Sequence, residues 1–236
     1  MLRPFRDKKI NFRLKSWYLS CRSFDWQFWS NQLGANVSKS FRRELGRKLI
    51  HLSSLWIPLL IYFAPAEICI AIFSIIFVGD AILEYGNFKK WKWARGSFGV
   101  LFCGTLRSKE CSRVHFQVSG SMYVMAAAIL CTALFTPVVA VIAMTVMLIS
   151  DTCSALFGKA FGTRQIFKNK SLEGTTAFFI SALIINMLFN PLLTFGYANV
   201  IACFLATFAE VYEDKTKIDD NLAIPLAVGI TLTLLG

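Results

Sequence analysis

Acidic, basic and glycine residues recur together in three short blocks in the second half of the chain. The blocks read SDTCSALFGKAFGT at 150–163, KNKSLEGTT at 168–176 and IDDNLAIP at 218–225. Mg²⁺ takes oxygen ligands from one or two carboxylates and completes its shell with water and phosphate oxygens. Lysines and backbone N–H groups neutralise phosphate charge, and glycines let the backbone approach a phosphate without a Cβ. These are the residue types that phosphoryl transfer requires.

A second acidic group lies earlier in the chain, inside an apolar run. Asp80 and Glu84 are one helical turn apart, so a helix would present both on one face. They lie near the end of the run that leads into basic sequence. One of the two is therefore a candidate general base. Polar contacts between helices are the alternative explanation.

The later charged residues have alternative explanations as well. The acids between 214 and 220 are also explained as a solvated loop. Lys159 and Lys170 are also explained as anchors on the cytoplasmic side of a membrane. The convergence of all these groups at the same ends of the apolar runs favours a site.

The familiar nucleotide and metal motifs are missing from the sequence. The P-loop pattern GxxxxGK[ST] fails because Cys153 stands five residues before Gly158, and no GxGxxG occurs. The seven cysteines form no CxxC pair, so neither a zinc site nor a redox motif is indicated. A P-loop kinase and a Rossmann enzyme are therefore not supported.

The composition is that of a membrane protein. Hydrophobic residues make up 56% of the chain and charged residues 17%, and the mean hydropathy is +0.55. A soluble chain is nearer 45–50% apolar and about 25% charged. The net charge of +11 could suggest nucleic acid, but the basic groups flank apolar runs and need only an anionic lipid surface. We expect no nucleic-acid partner.

The apolar runs and the basic groups together predict a topology. All 25 Lys and Arg residues fall in groups between the runs, so alternate threading places every group on the cytoplasmic side. The predicted fold class is an all-α integral membrane protein, a bundle of about seven transmembrane helices with a cytoplasmic N-terminus. The predicted spans are 48–65, 67–85, 118–135, 137–157, 174–194, 197–211 and 221–236.

The chain divides into two parts at residue 47. Residues 1–47 are basic and aromatic, which is typical of an interfacial helix or of a disordered tail. Residues 48–236 hold the apolar runs and the charged blocks. Within them, 97–106 is apolar but too short to span, and we interpret it as re-entrant or interfacial.

The charged blocks, in this order and spacing, resemble the membrane CTP-dependent lipid kinases: dolichol kinase, phytol kinase and the CTP-type diacylglycerol kinase. The resemblance covers about 43–230 and is strongest in DTCSALFGKAFG, KSLEGT and the segment from Glu210 to DNLAIP. RKLIHLSS at 47–54 and the Asp80–Glu84 pair add to it. It implies that 48–236 is a transmembrane lipid kinase domain.

The resemblance implies an activity and a set of site residues. CTP would donate its γ-phosphate to the hydroxyl of a membrane lipid alcohol, with Mg²⁺ as cofactor. The residues that match the family's nucleotide site are Arg47, Lys48, Gly158, Lys159, Gly162, Lys170, Ser171, Gly174, Thr175 and Asn221. The matching catalytic and metal residues, with the candidate bases, are Asp151, Glu173, Asp80, Glu84 and Asp220.

We assign roles within that set as a hypothesis. Asp151 and Asp220 hold Mg²⁺ on the phosphates of CTP. Lys159, Lys170 and Arg47 bind those phosphates. Glu173 orients a residue or a water molecule, and Asp80 or Glu84 takes the proton of the lipid hydroxyl.

Two other functions fit part of the pattern. A phosphatidate cytidylyltransferase would use CTP to make CDP-diacylglycerol, but the longer signature expected of that class is missing. A transporter would spread its carboxylates across the membrane depth, whereas here they lie on the inner side. The lipid could be a polyprenol such as dolichol, phytol or diacylglycerol. The membrane could be a bacterial inner membrane, the endoplasmic reticulum or a plastid membrane, and the oligomeric state stays open.

Overall fold

The computed structural model describes residues 39–89, 91, 118–167, 170–189, 191–216 and 218–236, and these are mostly helical. The helices are α1 (Lys39–Ser53), α2 (Trp56–Phe63), α3 (Ala66–Phe88), α4 (Gly120–Leu134), α5 (Pro137–Phe161), α6 (Leu172–Leu188), α7 (Tyr197–Thr216) and α8 (Asp220–Leu235). Two short antiparallel strands, β1 (Gln165–Phe167) and β2 (Lys170–Ser171), lie between α5 and α6.

The first predicted span is wrong as a single helix. The run 48–65 is divided between α1 and α2, with a turn at Ser54 and Leu55. Pro58 has no N–H, so a continuous helix would lose a hydrogen bond there and would clash with the preceding turn. Restarting the helix at Trp56 places the proline in the first turn, where no donor is needed.

The other predicted spans each coincide with a described helix, from α3 to α8. Their ends differ from the prediction by a few residues. The run 174–194 is helical only to Leu188, shortly before Pro191, because proline disfavours helical geometry in the residue that precedes it. The run 137–157 continues helical to Phe161, and Gly162 follows as its C-cap.

Helix α5 forms the centre of the described body. It packs against α1, α2, α4, α6 and α8. Ala140, Ile142, Ala143 and Met144 within it are fully buried. The helices around α5 are apolar on their outward faces as well, which is expected of helices that contact lipid. Large apolar side chains with at least half of their surface exposed include Phe63, Ile75, Ile180, Phe204 and Leu234.

Among the described residues, two helices are long and apolar enough to cross a membrane: Ala66–Gly86 within α3, and all of α5. Helices α4, α6 and α8 are apolar but shorter. The helical class is therefore confirmed, whereas the count of seven crossings stays a prediction. The predicted boundary at residue 47 lies within α1. The segments 1–38 and 97–106 lie outside the described residues.

Candidate functional site

The first polar cluster, which we call the Lys48 cluster, consists of Lys48, His51 and Asp151. Lys48 and His51 are three residues apart on α1 and therefore share one face. The Lys48 ammonium donates a hydrogen bond to Asp151 Oδ2 of α5, and both residues are buried. His51 Nε2 lies 3.5 Å from the same oxygen. The cluster joins the first helix to the central one through a buried ion pair.

The surroundings of His51 favour its neutral form. Burial lowers its pKa, Asp151 raises it, and the positive charge of Lys48 lowers it again, with a net lowering from the usual value. Its Nε2 is buried and makes no hydrogen bond with the described residues. A buried, neutral imidazole beside a lysine is able to donate or accept one hydrogen bond to a ligand.

The second polar cluster, the Lys170 cluster, surrounds the amine of Lys170 on β2. Lys170 Nζ lies 2.7 Å from Glu210 Oε1, 3.5 Å from Glu213 Oε2 and 3.8 Å from Asp220 Oδ2. Ser154 of α5 also donates to Glu210 Oε1, at 2.9 Å. Burial lowers the pKa of Lys170, but Glu210 and Asp220 raise it more, so the amine stays charged.

The turn between α7 and α8 carries further acidic groups. Carboxylate oxygens of Glu213, Asp219 and Asp220 all lie within 4.8 Å of one another. Asp219 caps α8 by accepting a hydrogen bond from the backbone N–H of Asn221, at 3.1 Å. The Asn221 amide donates to Asp219 at 2.6 Å and to Asp220 at 3.2 Å. Asn221 therefore orients the two aspartates.

The predicted phosphate-binding glycines lie where α5 and α6 meet. A Cβ on Gly174 would stand 2.8 Å from the backbone oxygen of Ser154 and 3.2 Å from Gly158 Cα. A Cβ on Gly162 would stand 2.8 Å from the Ser171 hydroxyl oxygen. The glycines therefore allow the two helices to approach closely, which is a packing role. Contact between these glycines and a phosphate group stays a prediction.

Ser171 and Glu173 organise the entrance to α6. Ser171 is the N-cap of this helix and accepts a hydrogen bond from the N–H of Gly174 at 3.1 Å. Glu173 Oε1 accepts from the backbone N–H of Thr163 at 3.0 Å and of Arg164 at 3.2 Å. Both residues thus hold the chain between α5 and α6 in place. Thr175 Oγ1 and Glu173 Oε2 are buried and make no hydrogen bond with the described residues.

Arg47 and Lys159, which were predicted to bind phosphate, are linked through Glu44, which was not among the predicted site residues. Arg47 Nη2 lies 2.5 Å from Glu44 Oε1, and Lys159 Nζ lies 3.5 Å from Glu44 Oε2. The spacing of three between Glu44 and Arg47 was the available signal, since such residues are neighbours on a helix. Glu210 was named as the start of the last block that resembles the lipid kinases, but it was not selected as a site residue.

Asp80 and Glu84 both bind the start of α4. The Ser121 hydroxyl donates to Asp80 Oδ2 at 2.5 Å, and the Ser119 N–H donates to Glu84 at 3.2 Å. Glu84 is buried and so satisfies a donor at the helix start. A Cβ on Gly120 would lie 3.5 Å from the amide nitrogen of Asn221, so this helix start adjoins the Lys170 cluster.

The structure thus brings together residues from α1, α5, β2 and α8 that are far apart in sequence. Asp151 and Asp220 both act electrostatically on Arg47, His51 and Lys170, which places the two clusters side by side. Asp151 Oδ2 is occupied by Lys48, so a metal bound by Asp151 would need Oδ1 or would have to displace the lysine. Three charged residues between the second and third predicted spans, Arg107, Lys109 and Glu110, lie outside the described residues.

The chain resembles one curated protein of undescribed activity. It is 30% identical over 206 residues to the protein named "Uncharacterized protein RP860" of Rickettsia prowazekii (strain Madrid E), and the match covers 84% of this chain and 97% of the relative. No family model matches the chain, and no solved structure matches it. The resemblance to lipid kinases stays a prediction. The chain belongs to the same family as this Rickettsia protein.

Proposed function

We propose that this protein transfers the γ-phosphate of CTP to the hydroxyl of a membrane lipid alcohol at the cytoplasmic face. The observation that carries the proposal is that two lysine–carboxylate clusters, one buried and one partly buried, lie beside each other in a helical body whose outer side chains are apolar. The clusters offer cations for phosphate and carboxylates for a metal or a proton. The apolar exterior offers a surface that a lipid can approach.

The free-energy cost of burying these charged side chains supports a functional role for the two clusters. Burying an ion costs on the order of several kcal/mol even after relaxation, and a buried pair repays that cost only with good geometry. Apolar residues of similar volume would often stabilise such a fold equally well. Charged groups among apolar helices are therefore a functional hypothesis by default.

Lys48 and Lys170 would bind the phosphates of CTP, with Arg47 and Lys159 alongside. Each lysine is already held by a carboxylate, so its position is fixed before a ligand arrives. Donors that are fixed in advance at a buried site stabilise developing charge more than flexible ones in water. Asp151 would then act chiefly by holding Lys48, and Glu210 by holding Lys170.

The described residues fit a divalent cation of the magnesium type. Asp220 is buried, and two further carboxylates have oxygens within 4.8 Å of it. Oxygen ligands of this kind are those that Mg²⁺ prefers. Mg²⁺ bound to the phosphates of CTP would neutralise negative charge on them.

Asp80 would take the proton of the lipid hydroxyl. It is less buried than Glu84, and its hydrogen bond comes from a hydroxyl, whereas Glu84 accepts from a backbone N–H at a helix start. In the transfer, the lipid oxygen bonds to the γ-phosphorus and the bond from phosphorus to the β-phosphate oxygen breaks. CDP leaves, and the hydroxyl proton passes to Asp80.

A labelling assay on detergent-purified protein tests the proposal. The protein receives CTP labelled at the γ or at the α position, Mg²⁺, and a mixture of polyprenol, phytol and diacylglycerol. Label in lipid from the γ position alone supports a kinase and identifies the alcohol. Label from the α position after phosphatidate is added supports a cytidylyltransferase instead. Folded protein that binds no CTP would overturn both.

A further inference from the structure

Helix α3 lies at the outside of the described body, unlike α5. Of an apolar stretch within Ala66–Gly86, 11% is buried, whereas 78% of the corresponding stretch of α5 is buried. Val78, Ile82 and Tyr85 follow one another at helical spacing and so form one face of α3. Each of them exposes between 47% and 53% of its surface. This outer face is therefore turned towards the medium that surrounds the protein.

A groove runs along this outer face, near the end of α3. Its volume is about 270 Å³, and its lining is apolar and aromatic, formed by Phe77, Val78, Ala81, Ile82, Tyr85 and Trp91. The Trp91 N–H donates a hydrogen bond to the Gly86 carbonyl oxygen at 2.9 Å, so Trp91 turns back against the end of the helix. An apolar cavity of about 150 Å³ holds one benzene molecule. The groove therefore has room for a short stretch of hydrocarbon chain.

A lysine and two aromatic rings lie at one end of the groove. The rings of Tyr85 and Trp91 meet edge to face, with their centroids 6.1 Å apart. Lys89 Nζ lies 5.7 Å from the centroid of the Tyr85 ring, and Lys89 is exposed. Aromatic rings and lysines at the end of an apolar helix are typical of the level of lipid headgroups. An apolar groove that ends at a cation fits a hydrocarbon chain with a negatively charged head.

A second group of a lysine and aromatic rings lies at the same end of the body. Lys215, in the last turn of α7, has its Nζ 4.6 Å from the ring centroid of Phe167 and 5.0 Å from that of Tyr212. Close contacts join the end of α3 to the starts of α4 and α8, and the start of α8 to the end of α7. Two separate lysine–aromatic groups therefore mark this end of the body as the one at headgroup level.

We propose that the groove binds one anionic phospholipid of the surrounding bilayer, with an acyl chain along residues 77–85 and the phosphate at Lys89. The net charge of +11 favours an anionic head. The lipid alcohol of the proposed function fits less well, because Asp80 and Glu84 lie on another face of α3, where they bind the start of α4. The site goes beyond the proposed function, since the phospholipid is held and is not consumed.

Native mass spectrometry of the full chain in detergent tests this site without any turnover. The protein is titrated with phosphatidylglycerol or with phosphatidylcholine that has the same acyl chains. We expect one tightly bound phosphatidylglycerol per chain. Lys89→Gln should reduce the preference for phosphatidylglycerol about fivefold, the effect expected of one lysine near an anionic surface. Lys215→Gln is the matched control, because it removes a lysine at the same end of the body but outside the groove, and it should keep the preference.

Filling the groove is a second and independent test. Ala81→Phe places a ring in the groove and should abolish tight binding of both lipids. Ala71→Phe makes the same change at an exposed position of α3 outside the groove, and it should bind phosphatidylglycerol as the wild type does. Thermal unfolding checks that each variant is folded. It should also show a melting temperature that rises with phosphatidylglycerol in the wild type, since a ligand that binds only the folded protein stabilises it.

Three results would overturn the site. They are folded wild-type protein that binds phosphatidylglycerol no better than phosphatidylcholine, an unchanged preference in Lys89→Gln, and equal losses in Ala71→Phe and Ala81→Phe. Displacement of the phospholipid by polyprenol, one for one, would overturn it as well and would assign the groove to the lipid alcohol. Because binding is measured without CTP, selective binding of phosphatidylglycerol supports the site even if no lipid is phosphorylated.

Discussion

Lys48 and Lys170 both pair with carboxylates, but Lys48 is buried on a helix whereas Lys170 is partly buried on β2. Lys48 is 2% exposed and forms an ion pair with Asp151 beside the neutral His51. Lys170 has 16% of its side chain exposed and contacts three carboxylates. The Lys48 cluster is thus a matched pair inside the body, whereas the Lys170 cluster is acidic and more open. The comparison shows that a lysine near the surface collects several carboxylates, whereas the fully buried lysine has one.

Removing the charge of Asp151 should have the largest effect on both activity and stability. Asp151→Asn leaves the Lys48 ammonium buried without its counter-charge, which costs about 3–5 kcal/mol for a buried pair. We expect loss of lipid phosphorylation and a large drop in thermal stability. Both are measured on detergent-purified protein, by the γ-label assay and by thermal unfolding.

A double variant distinguishes the two effects of that change. Lys48→Met with Asp151→Leu replaces the pair by apolar groups, which is often neutral for stability. Stability should return while phosphorylation stays lost. Near-normal turnover in folded Asp151→Asn would eliminate any role of this residue in the reaction.

Neutralising Lys170 should have the next largest effect on function. It should weaken the binding of CTP and strengthen the binding of a divalent cation. Lys170→Met removes the cation that contacts Glu210, Glu213 and Asp220. CTP binding should weaken by roughly 30-fold, or about 2 kcal/mol, the low end for truncation of a buried charge pair. Binding of Mg²⁺ at the carboxylates proposed to hold it should tighten, because these carboxylates lose a competing positive charge. Calorimetric titrations with CTP and with Mg²⁺ check both effects, and weaker Mg²⁺ binding would contradict the comparison.

Enlarging a glycine between α5 and α6 should have a moderate effect. In Gly174→Ala the new methyl would stand 2.8 Å from a backbone oxygen, so the helices must separate. The expected cost is about 1–3 kcal/mol, measured by thermal unfolding. Gly79→Ala in α3 is the matched control, since nothing lies within 4 Å of its added methyl. If Gly174→Ala were fully stable yet failed to bind CTP, the predicted phosphate contact would replace the packing role.

Acidification should have the smallest effect, through His51. Its pKa in the folded protein is lowered, mainly by burial, so between that value and the usual 6.5 the unfolded chain binds more protons. Stability is therefore lost as pH falls below about 6.5, by at most about 1.4 kcal/mol per pH unit. Thermal unfolding at pH 7.5 and 5.5 measures this loss, and it should be smaller in His51→Gln. An equal loss in both would assign the pH dependence to other groups.

The helices from α3 to α8 could be predicted because each is a long apolar run bounded by charge, proline or glycine. The break between α1 and α2 is the instructive failure. A hydropathy pattern over 48–65 is continuous, and the deciding feature is one proline whose missing N–H sets the start of α2. The number of membrane crossings was not decided by the described residues, because among them only α3 and α5 are both long and apolar enough to cross.

The site was predictable in part for a similar reason. The sequence determined that charged blocks lie at the ends of apolar runs, since hydrophobic patterning is local and needs no partner. It also selected Asp151, Lys170 and Asp220 by residue type. Tertiary structure alone decided which charged side chains form pairs. Lys48 and Asp151, for example, are 103 residues apart and are brought together only by helix packing. The same packing placed the predicted phosphate glycines at the contact between α5 and α6, and gathered acids of α7 and α8 around one lysine.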